Sequence, residues 1–167
     1  MRHPIDLSVY LVLDPDLCGG AQGMIETTRA AVQNGATCVQ LRAPHWKKRA
    51  LVEYGRALKS VLADFNVPLI INDHADVCLA VDAEGLHIGQ DDLSPLDARA
   101  IIGNEKILGL SVSNTQELAA VDIRLVDHLG IGPIFSTSTK PDASAALGLG
   151  GFAASVSYTH LTLPTTS

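Results

Sequence analysis

Short apolar runs recur along the chain: SVYLVL (8–13), TCVQL (37–41), PLIIN (68–72), GLHI (85–88), ILGLSV (107–112) and VDHLGIG (126–132). Each is continuous and rich in branched residues, as suits a strand buried on both faces. The segments between them carry helical spacing. GMIETTRAAVQNGA puts Ile25, Ala30, Ala31 and Val32 on one side and offers Gly35 as a stop. In KKRALVEYGRALKSVLADFN, Leu51, Tyr54, Leu58, Val61, Leu62 and Phe65 recur at three and four, with Lys and Arg opposite. SPLDARAIIG opens on Ser94 as N-cap with Pro95 in the first turn, and Gly103 ends it. SNTQELAAV has an Asn or Thr cap and Glu117 in its first turns. A strand–helix alternation repeated five or six times predicts a parallel sheet with right-handed crossovers.

An open doubly wound sheet and a closed barrel both satisfy that order. The polar residues separate them. Gln40 and Arg42, Asn72 and Asp73, Gln90 to Asp92, Ser111, and Thr137 to Lys140 all fall at or just past the end of a run. An open sheet gathers its ligand groups at one switch point, whereas a barrel arranges all strand ends around one pocket. The expectation is a (β/α)8 TIM barrel. With about six βα units in view and a usual minimum of roughly 200 residues, it is an incomplete one, its last two units missing. Past Gly151 the composition shifts to Thr and Ser without Asp, Glu, Lys or Arg. The expected organisation is a partial barrel over residues 1–153 and a non-native or disordered tail over 154–167, from a chain cut near 153–156.

The 167 residues are 47% hydrophobic and 18% charged, which fits one globular domain. A net charge of −6 speaks against a general nucleic-acid binder, which needs a basic footprint, but not against a small anionic ligand. Cys18, Cys38 and Cys78 are far apart and odd in number, so neither a disulfide framework nor a zinc site is expected; Cys38 and Cys78 read as small core residues. No signal-peptide pattern and no 18-residue apolar run occur, so the cytoplasm is expected and no membrane span. Nothing here bears on oligomeric state.

Three stretches go beyond pattern. In GATCVQLRAP (35–44), alternation places Gln40 and Arg42 on the same side of a strand end. INDHADVCLAVDAEGLHIGQDD (71–92) ends one strand in Asn-Asp and the next in Gln-x-Asp. GIGPIFSTSTK (130–140) is a Gly-rich strand end followed by hydroxyls and a lysine. Together with GLSVS (109–113), these motifs closely resemble the thiamine phosphate synthase family, in order and at fitting intervals, from about Leu7 to Phe152.

That resemblance implies a transferase on a TIM barrel. It joins 4-amino-2-methyl-5-(diphosphooxymethyl)pyrimidine to a thiazole phosphate in thiamine biosynthesis, releasing pyrophosphate with the help of Mg²⁺. By resemblance Asp73 and Asp92 hold the metal. Gln40, Arg42, Asn72, Ser111 and Lys140 bind the pyrimidine diphosphate, and Thr137, Ser138 and Thr139 bind the thiazole phosphate. No covalent nucleophile is implied. The implied partners are small phosphorylated substrates.

Two departures stand out. Pro44 occupies a position where the family commonly has a lysine, with Lys47 and Lys48 as candidates to reach back. The last strands are missing, so the chain as given is expected to be an open, poorly stable barrel without activity. A thiazole tautomerase-like isomerase on the same barrel, or a non-catalytic phosphate-binding remnant, are the alternatives. Among other polar residues, Asp91 reads as a solvated or helix-starting acid, and Asp76 either as a residue near the metal or as an ordinary exposed one. His87 reads as a satisfied interior histidine, and HWKKR (45–49) as a solvated face. His45, His74 and His128 are assigned nothing.

Overall fold

A computed structural model describes residues 5–136 and 145–159. Six parallel strands, β1 (Tyr10–Leu13), β2 (Cys38–Leu41), β3 (Leu69–Asn72), β4 (Gly85–Ile88), β5 (Ile107–Val112) and β6 (His128–Ile131), form one sheet in the order β1-β2-β3-β4-β5-β6. They alternate with helices α1 (Ala21–Gln33), α2 (Lys48–Ala63), α3 (Ala75–Val81), α4 (Pro95–Ile102) and α5 (Thr115–Ala120); α6 (Gly148–Thr159) follows β6. Every strand pairs only with its neighbours in sequence, and the sheet curves into a half-barrel. Among the described residues, β1 and β6 each pair on one side only.

Helix starts and stops follow local chemistry. Ser94 Oγ accepts from the Asp97 N–H at the start of α4, and Asn114 Oδ1 accepts from the Glu117 N–H at the start of α5. Gly35 (φ +100°) and Gly103 (φ +79°) stand just past α1 and α4 in the left-handed region that a side chain disfavours. The stripe of α2 packs as expected: Leu51, Leu58, Val61 and Leu62 are buried, with Tyr54 and Phe65 packed beside them. The stripe of α1 does not. Its buried residues are Met24, Thr28 and Val32, and Ala30 faces solvent. Thr28 reaches the interior because its hydroxyl donates to the Met24 carbonyl (2.8 Å), which satisfies it without water.

The main core lies between the outer face of the sheet and the helices, and is built from Leu41, Ile71, Leu86, Ile88, Leu108 and Leu110 with the helix stripes. A smaller cluster of Cys38, Ile70 and Ile107 fills the inner, concave face near the strand starts. Cys38 and Cys78 are both fully buried, as expected. Below the strand starts, Arg99 of α4 is buried and makes four side-chain hydrogen bonds. It donates to the carbonyls of Leu125 (2.7 Å), Gly103 (3.2 Å) and Lys106 (2.6 Å) and to Asp127 Oδ2 (2.5 Å), and the same oxygen accepts from the Leu108 N–H (2.7 Å).

Helix α6 crosses the boundary expected after residue 153. Ser155, placed in the expected tail, is buried, and its hydroxyl donates to the Gly151 carbonyl (2.9 Å). Its glycines and weak amphipathic pattern hid it from a search for an apolar stripe. Residues from 160 onward lie outside the described residues.

Candidate functional site

The concave face opens at the strand ends into a cavity of about 840 Å³. Alternation along each strand supplies its walls. β1 contributes Tyr10 and Val12, β2 contributes Gln40 with Arg42 just beyond, and β3 contributes Asn72 with Asp73 beyond. β4 contributes His87 and the loop Gly89 to Asp92, β5 contributes Ser111 with Ser113, and β6 contributes His128 to Gly130. Of the expected site residues, Gln40, Arg42, Asn72, Asp73, Asp92 and Ser111 therefore share one cavity. Thr137, Ser138, Thr139 and Lys140 lie outside the described residues.

Gln40 is buried, and its Nε2 donates to the Tyr10 hydroxyl (2.8 Å). Burial pushes the Tyr10 phenol well above its usual range, so it stays protonated. Arg42 is half-exposed at the rim, 3.9 Å from the Asp14 carboxylate. Lys48 does not reach the cavity. Its ammonium pairs with Asp76 of α3 (2.6 Å) on the outer surface, and no other cation stands in for the lysine absent at Pro44 among the described lining residues.

Asp73 has a left-handed backbone (φ 62°), and its N–H donates to the His87 carbonyl across to β4 (2.8 Å). Asp92 is exposed, and its Oδ2 accepts from the Gly89 N–H (2.7 Å), which folds the loop back toward the cavity. Gln90 Nε2 donates to the Ser111 carbonyl (2.6 Å) and ties that loop to β5. Asp91 is exposed and also lines the cavity, as does Glu117, whose carboxylate accepts from Ser113 N–H and Asn114 Nδ2 at 2.6 Å each. The described lining thus carries four carboxylates (Asp73, Asp91, Asp92, Glu117) and one guanidinium (Arg42). Among the described residues, no three His, Cys, Asp or Glu side chains converge as a metal cluster.

Two histidines add to the reading of the sequence. His87 is not merely an interior residue: its Nε2 lies 2.9 Å from Ser111 Oγ and its Nδ1 lies 3.4 Å from His128 Nε2. His128, assigned nothing, is buried at the cavity floor with its ring 5.7 Å from the ring of Tyr10. The register explains the pair. His87, Gly109 and His128 sit side by side on β4, β5 and β6. A Cβ on Gly109 would lie 2.3 Å from His128 Nε2 and 2.4 Å from His87 Nδ1, so the two rings meet only over a glycine. Burial lowers the pKa of both to about 4, with mutual repulsion adding to the effect on His87. A glycine inside ILGLSV, with histidines in both neighbouring runs, was the available signal.

Comparison with known proteins adds the following. The family model described as thiamine monophosphate synthase matches residues 9–166. The thiamine-phosphate synthase of Xanthobacter autotrophicus is 55% identical over 148 residues, covering 89% of this chain and 70% of that protein. That of Azorhizobium caulinodans is 52% identical over 164 residues, covering 98% of this chain and 76% of that protein. The structure of thiamine phosphate pyrophosphorylase from Pyrococcus furiosus superposes with a TM-score of 0.78 at 29% identity, covering 93% of this chain and 72% of the other.

Proposed function

Because this chain belongs to the thiamine monophosphate synthase family, we propose that its cavity binds 4-amino-2-methyl-5-(diphosphooxymethyl)pyrimidine for transfer to a thiazole phosphate. The product is thiamine phosphate, and the half-barrel corresponds to six units of a (β/α)8 barrel. The observation that carries this reading is the meeting of Gln40, Arg42, Asn72, Asp73, Asp92 and Ser111 on one concave face.

The charge balance supports a metal. Four carboxylates facing one guanidinium would repel a diphosphate on their own. Asp73 and Asp92 fit Mg²⁺, which takes oxygen ligands and is commonly held by one or two carboxylates with phosphate oxygens and water completing the shell. Held by these two carboxylates, Mg²⁺ would supply positive charge to offset that of the pyrophosphate leaving group. A tautomerase has no use for such an arrangement.

The residues of the chain then have distinct tasks. Arg42 offers a planar fork of donors to the diphosphate at the rim, and Lys140 adds a point charge. Gln40 donates one Nε2–H to Tyr10, which orients its amide and leaves its carbonyl oxygen for the amino group of the pyrimidine. Asn72 and Ser111 bond the rest of that ring. As the C–O bond to pyrophosphate breaks, positive charge spreads from the methylene carbon into the electron-rich ring. The thiazole nitrogen lone pair then forms the new C–N bond. Positioning and electrostatics suffice, since no proton needs to be removed from the attacking nitrogen. Thr137, Ser138 and Thr139 seat the thiazole phosphate.

The test is calorimetric titration of this chain with the pyrimidine diphosphate, with and without Mg²⁺, alongside pyrophosphate release in the presence of both substrates. Mg²⁺-dependent binding that Asp73→Ala and Asp92→Ala abolish is expected. Metal-independent binding, or full retention by either variant, overturns the reading.

A further inference from the structure

His128, His87 and Ser111 form a line of side chains that ends in the cavity, and the direction of its hydrogen bonds matters. Two arrangements are open to a neutral pair. In one, His87 Nδ1–H donates to His128 Nε2, which leaves the proton of His128 on Nδ1. In the other, His128 Nε2–H donates to His87 Nδ1, and His87 Nε2–H donates to Ser111 Oγ.

The surroundings of His128 decide between them. Its Nδ1 is the one buried side-chain nitrogen or oxygen without a hydrogen-bond partner among the described residues. In the first arrangement that atom is a buried N–H with nothing to donate to. In the second it is only an unused lone pair. Orphaned buried N–H groups are the rarer and costlier of the two. We therefore infer that His128 is a positioning residue that acts through His87: it holds His87 in the Nε2–H form, so that Ser111 accepts from His87 and turns its own hydroxyl proton into the cavity.

A hydroxyl can rotate to donate or accept, so an unsupported serine at this place would recognise either kind of group. Supported in this way, Ser111 presents a donor. The complementary ligand atom is a lone pair, such as a ring nitrogen of a heteroaromatic base. Across the cavity, Gln40 donates one Nε2–H to Tyr10, which fixes the orientation of its amide and leaves its carbonyl oxygen as an acceptor. A donor on one wall and an acceptor on the other select a ring with an unprotonated nitrogen and an exocyclic amino group. A ring with a carbonyl in place of the amino group would meet the Gln40 oxygen lone pair to lone pair. Gly109 is part of the same device, because the two imidazoles touch only where it leaves space. The assignment rests on the proposed pyrimidine site and adds the polarity of its serine.

Long-range proton–nitrogen correlation spectra of the ¹⁵N-histidine-labelled 167-residue chain near pH 7.5 test the direction itself. Expected are Nε2-protonated forms of both His87 and His128; an Nδ1-protonated His87 overturns the inference. Binding supplies a second measurement, with the aminopyrimidine diphosphate and inorganic pyrophosphate as probes in the presence of Mg²⁺. His128→Phe is expected to weaken the pyrimidine compound about tenfold, the scale of one neutral hydrogen bond, and to leave pyrophosphate unaffected. His128→Gln, whose amide nitrogen donates from nearly the same place, should recover most of the loss. Equal weakening of both probes, or of neither, means that His128 is only structural. If the wild-type chain binds neither probe, the proposed function fails, and the spectra still judge the histidines.

Discussion

The backbone N–H of Asp73 donates to the carbonyl of His87 at 2.8 Å, with Asp73 held at φ 62° immediately beyond β3. A left-handed aspartate costs of order 1 kcal/mol relative to glycine, and such strain persists where the surroundings enforce it. The bond to His87 is that enforcement, and it aims the loop that carries the proposed metal ligand. Replacing Asp73 by glycine therefore has opposite effects on stability and on function. Asp73→Gly should match or exceed the wild type in urea denaturation, by up to about 1 kcal/mol. Asp73→Ala, which keeps a Cβ at positive φ, should fall below the glycine variant. Both should lose Mg²⁺-dependent pyrimidine diphosphate binding. Equal stability of the two variants counts against strain at this residue.

Gly109 offers a second separation. Alanine there drives a methyl group into two buried rings at 2.3 and 2.4 Å. Gly109→Ala should cost about 1–3 kcal/mol, the usual scale for overpacking. It should also break the histidine contact, so that the ¹⁵N spectra of His87 and His128 change together. A variant with wild-type stability and unchanged histidine signals contradicts the packing described for the cavity floor.

Arg99 and Asp127 are not among the residues lining the cavity, and their pairing bears on stability. Arg99→Ala strands Asp127, whose Oδ2 also accepts from Leu108 of β5, and should destabilise the fold by about 3–5 kcal/mol. A chemical-denaturation midpoint within error of the wild type is the contrary outcome.

The buried histidines give stability a pH dependence of definite sign. Both have folded-state pKa values near 4, against 6.5 when exposed. Between pH 6.5 and 4 the unfolded chain binds protons that the folded chain refuses, so stability falls as pH falls through that window and levels off below it. At about 1.4 kcal/mol per pKa unit, the loss amounts to about 3 kcal/mol for each ring. Asp82, held at about 2 chiefly by its hydrogen bonds from Lys106 and Lys59, acts only at lower pH, below 3.8. His128→Phe should roughly halve the loss in the upper window, where His87 still titrates, and leave the lower one. An unchanged profile in that variant contradicts a neutral, buried His128.

All six strands lie within the apolar runs, because the face each turns to the helices is apolar and builds the main core. Four of the helices were legible for a related reason, since a stripe plus a cap is local information. Helix α3 is seven residues long, too short to display a stripe, and α6 is glycine-rich. The site was partly legible. Gln40, Arg42, Asn72, Asp73, Asp92 and Ser111 stand at strand ends, where polar residues interrupt an apolar pattern. His128, Tyr10 and Glu117 went unnoticed for different reasons. Tyr10 and His128 lie inside their strands, where an inward polar ring and a core residue have the same spacing, and Glu117 is first of all a helix cap. Only register, which places His87 and His128 on either side of Gly109, reveals what the histidines do.

Sequential strand order has a consequence for how the chain comes together. No pairing in the sheet joins residues further apart than Val39 and Leu69 or their neighbours in register, so each strand can dock as soon as it is made, at small loop-closure cost. The cavity follows the opposite schedule. Its floor needs Tyr10 from the first strand and His128 from the sixth, which stand 5.7 Å apart, centroid to centroid, only once every intervening strand is in place. During synthesis, much of the sheet can therefore exist before any binding site does. A ligand can stabilise the finished arrangement, but it cannot guide the steps that lead to it.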